Sequence, residues 1–240
     1  MYKSLHLPLV ATLSAALLIS ACSDPEAPTN IAVQSASENT VVSFGSCDQY
    51  DENGTALFGD LHVHTSYSFD AAAISTGATP EDAHNYARGG EIPFFPVNAE
   101  GEATGRIKID RPLDFLAVTD HGEFLGERAL CSTQGSPVYN TEFCVGYRSD
   151  QRLGMMMLGT VITTETPARI PEICGADGSL CRDFAQSPWE TIQATSNANN
   201  EPCEFTSFVA YEYTGTPGTS NYHRNVIFRN DNVPALPVSY

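Results

Sequence analysis

His62-Val63-His64 is the strongest chemical signal in the sequence. On an extended strand, side chains at i and i+2 leave on the same face, so both imidazoles can converge on one metal ion. Asp60 shares that face and is placed to orient a ligand from behind. Asp70 follows Ser66-Tyr67-Ser68-Phe69, close enough along the chain to return to the same site. The plain alternative is a pair of unrelated surface histidines. The other histidines weigh against it. Apart from His6, the chain holds only His62, His64, His84, His121 and His223. His121 closes Thr119-Asp120-His121 after an apolar run, and His223 follows a polar turn and precedes another such run. All but His84 thus fall at predicted strand–loop junctions, where a metal site needs them. His84, beside Glu81 and Asp82 on a predicted surface helix, is expected to be solvated. Glu212 lies between Tyr211 and Tyr213 near the end of an apolar run, where a carboxylate is costly to bury without a partner. A metal ion would supply one, and so would an arginine.

These residues need a frame. Leu57 to Val63 reads as a strand, and Leu113 to Thr119 as a short buried one. Between them, Thr79-Pro80-Glu81-Asp82 is a helix start, with Thr79 as N-cap and Pro80 in the first turn, and the helix is expected to end near Gly89-Gly90. Ser187-Pro188-Trp189-Glu190 has the form of a capping box opening a second helix. Phe205 to Tyr213 and Val226 to Arg229 are further strand candidates. Alternating strands and helices predict an α/β class with parallel strands, in which sites gather at the carboxyl ends of the strands. Residues 131–186 are Gly-rich and poorly periodic, and read as a disulfide-stapled insertion with short helices.

Charge and export signals narrow the classes of partner. Twelve Lys+Arg stand against 29 Asp+Glu, a net charge of −17, and Lys3 and Lys108 are the only lysines. No basic patch for nucleic acid can be assembled from that, so a small-molecule substrate is favoured over a long polyanion. With 42% hydrophobic and 17% charged residues, the chain is too apolar for a disordered one. Residues 1–21 read as a secretory signal: Lys3 is followed by the apolar run Leu9 to Ile19, too short to span a bilayer. The run ends in Ile19-Ser20-Ala21-Cys22, which resembles a bacterial lipoprotein cleavage box with Cys22 as the lipidated residue. A plain signal peptide that contains a cysteine is the alternative. Residues 22–43 read as a flexible tether and 44–240 as the folded part, so membrane contact is expected through the lipid alone.

Setting Cys22 aside leaves Cys47, Cys131, Cys144, Cys174, Cys181 and Cys203, an even set that favours disulfides in an oxidising compartment. Short loops favour Cys131–Cys144 and Cys174–Cys181 among the many possible pairings, with Cys47–Cys203 left by elimination. A zinc ribbon is disfavoured, because no C-x-x-C pair is present.

Gly59-Asp60-Leu61-His62-Val63-His64-Thr65, Thr119-Asp120-His121, Ala210-Tyr211-Glu212 and His223 resemble successive motifs of the PHP (polymerase and histidinol phosphatase) superfamily. The stretches Arg111 to His121 and Asn221 to Phe228 are similar to a bacterial family of exported PHP-like proteins of unknown function. The resemblance runs from about Phe58 to Tyr240. It implies a distorted TIM-like barrel holding two or three divalent metal ions, with ligands at His62, His64, Asp70, His121, Glu212 and His223. Further family ligands, another His and a closing Asp-x-His, have no counterpart after His223. The chain is therefore expected to be an N-terminal fragment with an incomplete barrel. The expected activity is metal-dependent hydrolysis, of a phosphoester on a small substrate, with Glu212 bridging and Asp120 steering a proton or orienting a ligand. Mixed imidazole and carboxylate donors suit Zn, Mn or Fe. The competing classes are a non-catalytic lipoprotein that binds metal or a partner, and a hydrolase of non-phosphate esters or amides at the same centre.

Overall fold

The computed structural model describes Cys47 and residues 53–240, all within the unit Phe44–Tyr240. The expected signal segment 1–21, Cys22 and the tether 22–43 lie outside the described residues. Strands β1 (Gly59–Val63), β4 (Phe115–Val118) and β5 (Thr206–Phe208) form a parallel sheet in the order β1-β4-β5. Parallel neighbours cannot be joined by a tight turn, so a long crossover must separate each pair. The first crossover carries α1 (Phe69–Ala73), α2 (Pro80–Ala87) and a small antiparallel ribbon of β2 (Ile92–Pro93) and β3 (Arg106–Ile107). The second carries α3 (Leu125–Ser132), α4 (Glu142–Ser149), α5 (Gln151–Ile162), α6 (Pro171–Cys174) and α7 (Ser179–Asn199). A separate antiparallel pair, β6 (Ala210–Gly215) and β7 (Tyr222–Ile227), completes a mixed α/β fold with no closed barrel among the described residues.

Sequence and structure agree at the α2 start. Thr79 Oγ1 accepts from the Asp82 amide and Asp82 Oδ2 accepts from the Thr79 amide, a reciprocal capping box. They part at α7, which starts at Ser179 rather than at Ser187 and passes through Pro188. Ala185, Trp189, Ile192 and Ser196 recur at helical spacing as its buried face, and this packing outweighs the backbone hydrogen bond that proline removes. Gly126 in α3 makes the close approach possible: a Cβ there would lie 1.8 Å from the Cys181 carbonyl oxygen of α7. The run Phe205 to Tyr213 breaks at Val209 into β5 and β6, because β5 completes the parallel sheet while β6 leaves to pair with β7.

His84 is a correction. It is fully buried, not solvated, since the inner face of α2 packs beside β4 and β5. Its Nδ1 lies 2.7 Å from the Pro80 carbonyl oxygen, which can only accept, so that nitrogen carries the proton. Nε2 is left to accept from Ser207 Oγ at 2.7 Å. Burial lowers the pKa of His84, in keeping with this neutral ring.

The stretch read as a stapled insertion is the middle of the second crossover. Cys131–Cys144 ties α3 to α4 and Cys174–Cys181 ties α6 to α7, with all four cysteines buried in one apolar cluster. Cys47–Cys203 closes a separation of 156 residues. Three disulfides are the mark of an oxidising environment. Among the described residues no helix is long and apolar enough to cross a membrane.

Candidate metal centre

The site forms where the end of β1 meets β6. His62 Nε2 lies 3.1 Å and His64 Nε2 2.6 Å from the same oxygen, Glu212 Oε2. The other ring nitrogen of His64 faces Asp70 Oδ2 at 3.0 Å, and Asp70 Oδ2 lies 3.6 Å from His121 Nε2. Asp70 is held in the first turn of α1 by Ser68 Oγ, which donates to Oδ1 at 2.6 Å, and by the Ala71 amide at 2.7 Å. His121 arrives because the chain beyond β4 runs parallel to β6: the Glu212 amide donates to the Asp120 carbonyl at 3.0 Å, and the Gly122 amide to the Glu212 carbonyl at 2.9 Å.

The β6–β7 register decides the rest. Glu212 opposes Asn225 and Thr214 opposes His223, so strand alternation puts all four on one face. Tyr211 and Tyr213 take the opposite face and pack in the cluster around Trp189. His223 Nδ1 contacts the second Glu212 oxygen, Oε1, and Asn225 Nδ2 donates to the Leu61 carbonyl at 2.9 Å, stapling β7 to β1. Glu212 therefore has imidazoles on both oxygens and, among the described residues, no arginine partner.

Three overlapping donor groups result: His62, His64 and Glu212; His64, Asp70 and His121; His121, Glu212 and His223. Within each, one donor atom per residue lies within 4.8 Å of the others. Ligands about 2.0–2.2 Å from a zinc ion stand about 3–4 Å apart, so the spacing and the imidazole–carboxylate chemistry both fit a divalent metal. All six side chains expected to share one site do come together. A fourth group, Glu127 with Cys174 and Cys181, is different: both sulfurs are in a disulfide and have no thiolate to offer.

A family model described as "Protein of unknown function (DUF3604)" matches residues 51–240. The chain belongs to the DUF3604 family. No curated protein and no solved structure matches it. The DUF3604 span contains every member of the cluster, from His62 to His223.

In this DUF3604 chain the cluster's electrostatics follow from crowding. Burial alone would lower the pKa of His121, but the Asp70 and Glu123 carboxylates outweigh it and raise it to about 9. Burial likewise opposes the charge on His64, yet Asp70 leaves its pKa raised. Burial pushes Asp70 and Glu212 up, while the surrounding imidazoles more than reverse this and hold both below the usual carboxylate range. Protons favoured on His64 and His121 thus supply positive charge of the kind that a cation would supply on binding.

Sequence reading missed Glu123. It is fully buried; Oε1 accepts from the Thr214 amide at 2.6 Å. Oε2 lies 3.3 Å from His121 Nδ1, an ion-pair contact outside hydrogen-bond alignment, and has no other partner among the described residues. A carboxylate behind an imidazole fixes the ring so that its other nitrogen faces the cluster. The only cue was an acid inside the apolar stretch Gly122-Glu123-Phe124-Leu125. Thr214 Oγ1, 2.8 Å from His121 Nδ1, and Asn221 Oδ1, 2.8 Å from His223 Nε2, were missed as well.

Asp120, expected to steer a proton or orient a ligand, contacts Thr65. It is fully buried, with Oδ1 accepting from the Thr65 amide at 2.5 Å and Oδ2 from Thr65 Oγ1 at 2.7 Å. Burial pushes its pKa up to about 6 against those hydrogen bonds. It positions the residue that follows His64. Asp60 acts similarly, with Oδ1 accepting from the His62 amide at 2.9 Å.

Proposed function

We propose that this protein is an exported, metal-dependent hydrolase acting on a small phosphoester. The observation that carries the reading is the split carboxylate of Glu212, with Oε2 toward His62 and His64 and Oε1 toward His223. A carboxylate shared in this way can bridge two ions. His62 and His64 with Glu212 would hold one; His121 and His223 with Glu212, or His64 and His121 with Asp70, would hold another. Zinc, manganese or iron bound here would lower the pKa of water toward about 7 and neutralise charge developing on the reacting phosphoryl group.

The chain's own residues do the positioning. Glu123 and Thr214 hold the Nδ1 side of His121, and Asp120 and Asp60 fix the backbone on either side of the His62–His64 pair. His62 is 59% exposed and marks the open side, where substrate enters. The resemblance to PHP motifs supports the same chemistry and a frame related to a distorted barrel. The net charge of −17 disfavours nucleic acid as substrate, and the Ile19-Ser20-Ala21-Cys22 box supports lipid anchoring at Cys22, facing the periplasm.

The test is metal content together with turnover of p-nitrophenyl phosphate in the presence of zinc, manganese or ferrous ion. His62→Ala is expected to abolish turnover and lower metal content, with the disulfides intact. Bound metal without turnover of any phosphoester would refute the phosphoesterase reading, leaving a metal-binding module or a hydrolase of other esters or amides; no bound metal would refute the centre.

A further inference from the structure

A cleft of about 390 Å³ opens beside the cluster and shares His223 and Thr214 with it. One wall is the face of α5 that carries Met156, Gly159 and Thr160, continued by Thr163 just past its end; Phe69, whose ring packs 4.8 Å from His121, also lines the cleft. Among the described residues no Lys, Arg, Asp or Glu lines it, although acids abound elsewhere in the chain. Its threonines are less polar than their names imply. Thr160 Oγ1 donates to the Met157 carbonyl at 2.7 Å, Thr163 Oγ1 to the Thr160 carbonyl at 2.9 Å, and Thr216 Oγ1 to the Ile162 carbonyl at 2.9 Å. Thr214 Oγ1 is engaged by the His121 and His223 rings. With these hydroxyl protons already committed and Asn221 Oδ1 held at His223 Nε2, the cleft has few donors left for an anionic group.

We infer that the cleft takes the uncharged, apolar alcohol portion, aryl or alkyl, of an ester whose anionic group lies at the His–Glu cluster. This rests on the hydrolase reading and names its substrate class. A volume of this size sits at the small end of ligand pockets and suits a one- or two-ring group. A sugar or amino-acid phosphate would leave its own polar groups unpaired there.

Gly159 provides the test. A Cβ built there meets nothing within 4 Å, and leucine is a better helix former than glycine, so Gly159→Leu should fold and fill the cleft. The probes are 2-naphthyl phosphate, glycerol 3-phosphate and neutral 2-naphthol, with binding followed by calorimetry and NMR on zinc-loaded protein. Wild type is expected to bind 2-naphthyl phosphate about tenfold or more tightly than glycerol 3-phosphate, and Gly159→Leu to erase that preference while zinc affinity stays unchanged. Met156→Ser, at a 64% exposed position on the rim, should weaken the naphthyl probes in the same direction. Equal affinities in wild type, or a preference that survives Gly159→Leu, would overturn the cleft assignment and leave the hydrolase reading standing. If 2-naphthol binding is lost in Gly159→Leu but neither phosphoester is bound or cleaved, the cleft stands and the hydrolase reading falls.

Discussion

Metal binding by this protein should strengthen steeply with pH, because an incoming ion must displace the proton on His121. That ring is only 4% exposed and its pKa is raised to about 9 against 6.5 for an unperturbed histidine, so near pH 7 only on the order of one ring in 100 is free of its proton. Affinity for an ion that uses His121 should therefore sit roughly 100-fold below its plateau near pH 7 and climb about tenfold per unit toward pH 9. His64, whose pKa is also raised, adds to the slope. The assay is a zinc titration against a competing chelator across this range, repeated in buffers of different ionisation enthalpy. It should register about one proton released by His121 near pH 7 and almost none once the pH passes its pKa. Glu123→Gln removes one of the carboxylates that raise His121, so the climb should begin at lower pH. The same linkage acts on the metal-free fold. A folded pKa above the unfolded one gives stability that is complete below about pH 6.5 and lost as pH rises through about 9, amounting to about 3 kcal/mol. Zinc affinity that is flat over this interval, or a Glu123→Gln profile that coincides with wild type, would refute the reasoning.

Three other outcomes follow from the packing. His84→Ala should destabilise the fold by about 2–3 kcal/mol in urea unfolding, through the lost ring contacts and an unpartnered Ser207, with metal stoichiometry unchanged. Asp120→Ala leaves the buried Thr65 amide without its acceptor and should cost about 1–3 kcal/mol; unlike His84→Ala, it should also weaken zinc binding, because Thr65 follows His64. Replacing Cys131 and Cys144 together by alanine opens a loop of 13 residues' separation and should lower the urea midpoint by the equivalent of about 3 kcal/mol, and a variant as stable as wild type would count against the chain-entropy account.

What was legible in the sequence was local. The His62–His64 alternation, the Thr79 cap and the short-range cysteine pairs depend on neighbours a few residues apart, and each occurs as read. Glu212 was conspicuous because an acid in an apolar strand needs a partner, yet strand pairing alone made that partner histidine rather than arginine. His84 was misread for the same reason: its acidic neighbours on α2 describe the outer face, and only the sheet behind the helix shows that it is buried. Ser187 to Glu190 has the form of a helix start, but burial of Trp189 and Ile192 carries the helix through Pro188 from Ser179. The partners of Asp120 and Glu123 were beyond local reading. Both acids flank His121 in the chain, and the partners that separate them, Thr65 and Thr214, are 55 and 91 residues away. Local chemistry and periodicity are written within a helical turn or a strand pair. Which acid faces the histidines is decided by the parallel register of β1 with β4 and the pairing of β6 with β7, because only those contacts bring distant residues within hydrogen-bond reach.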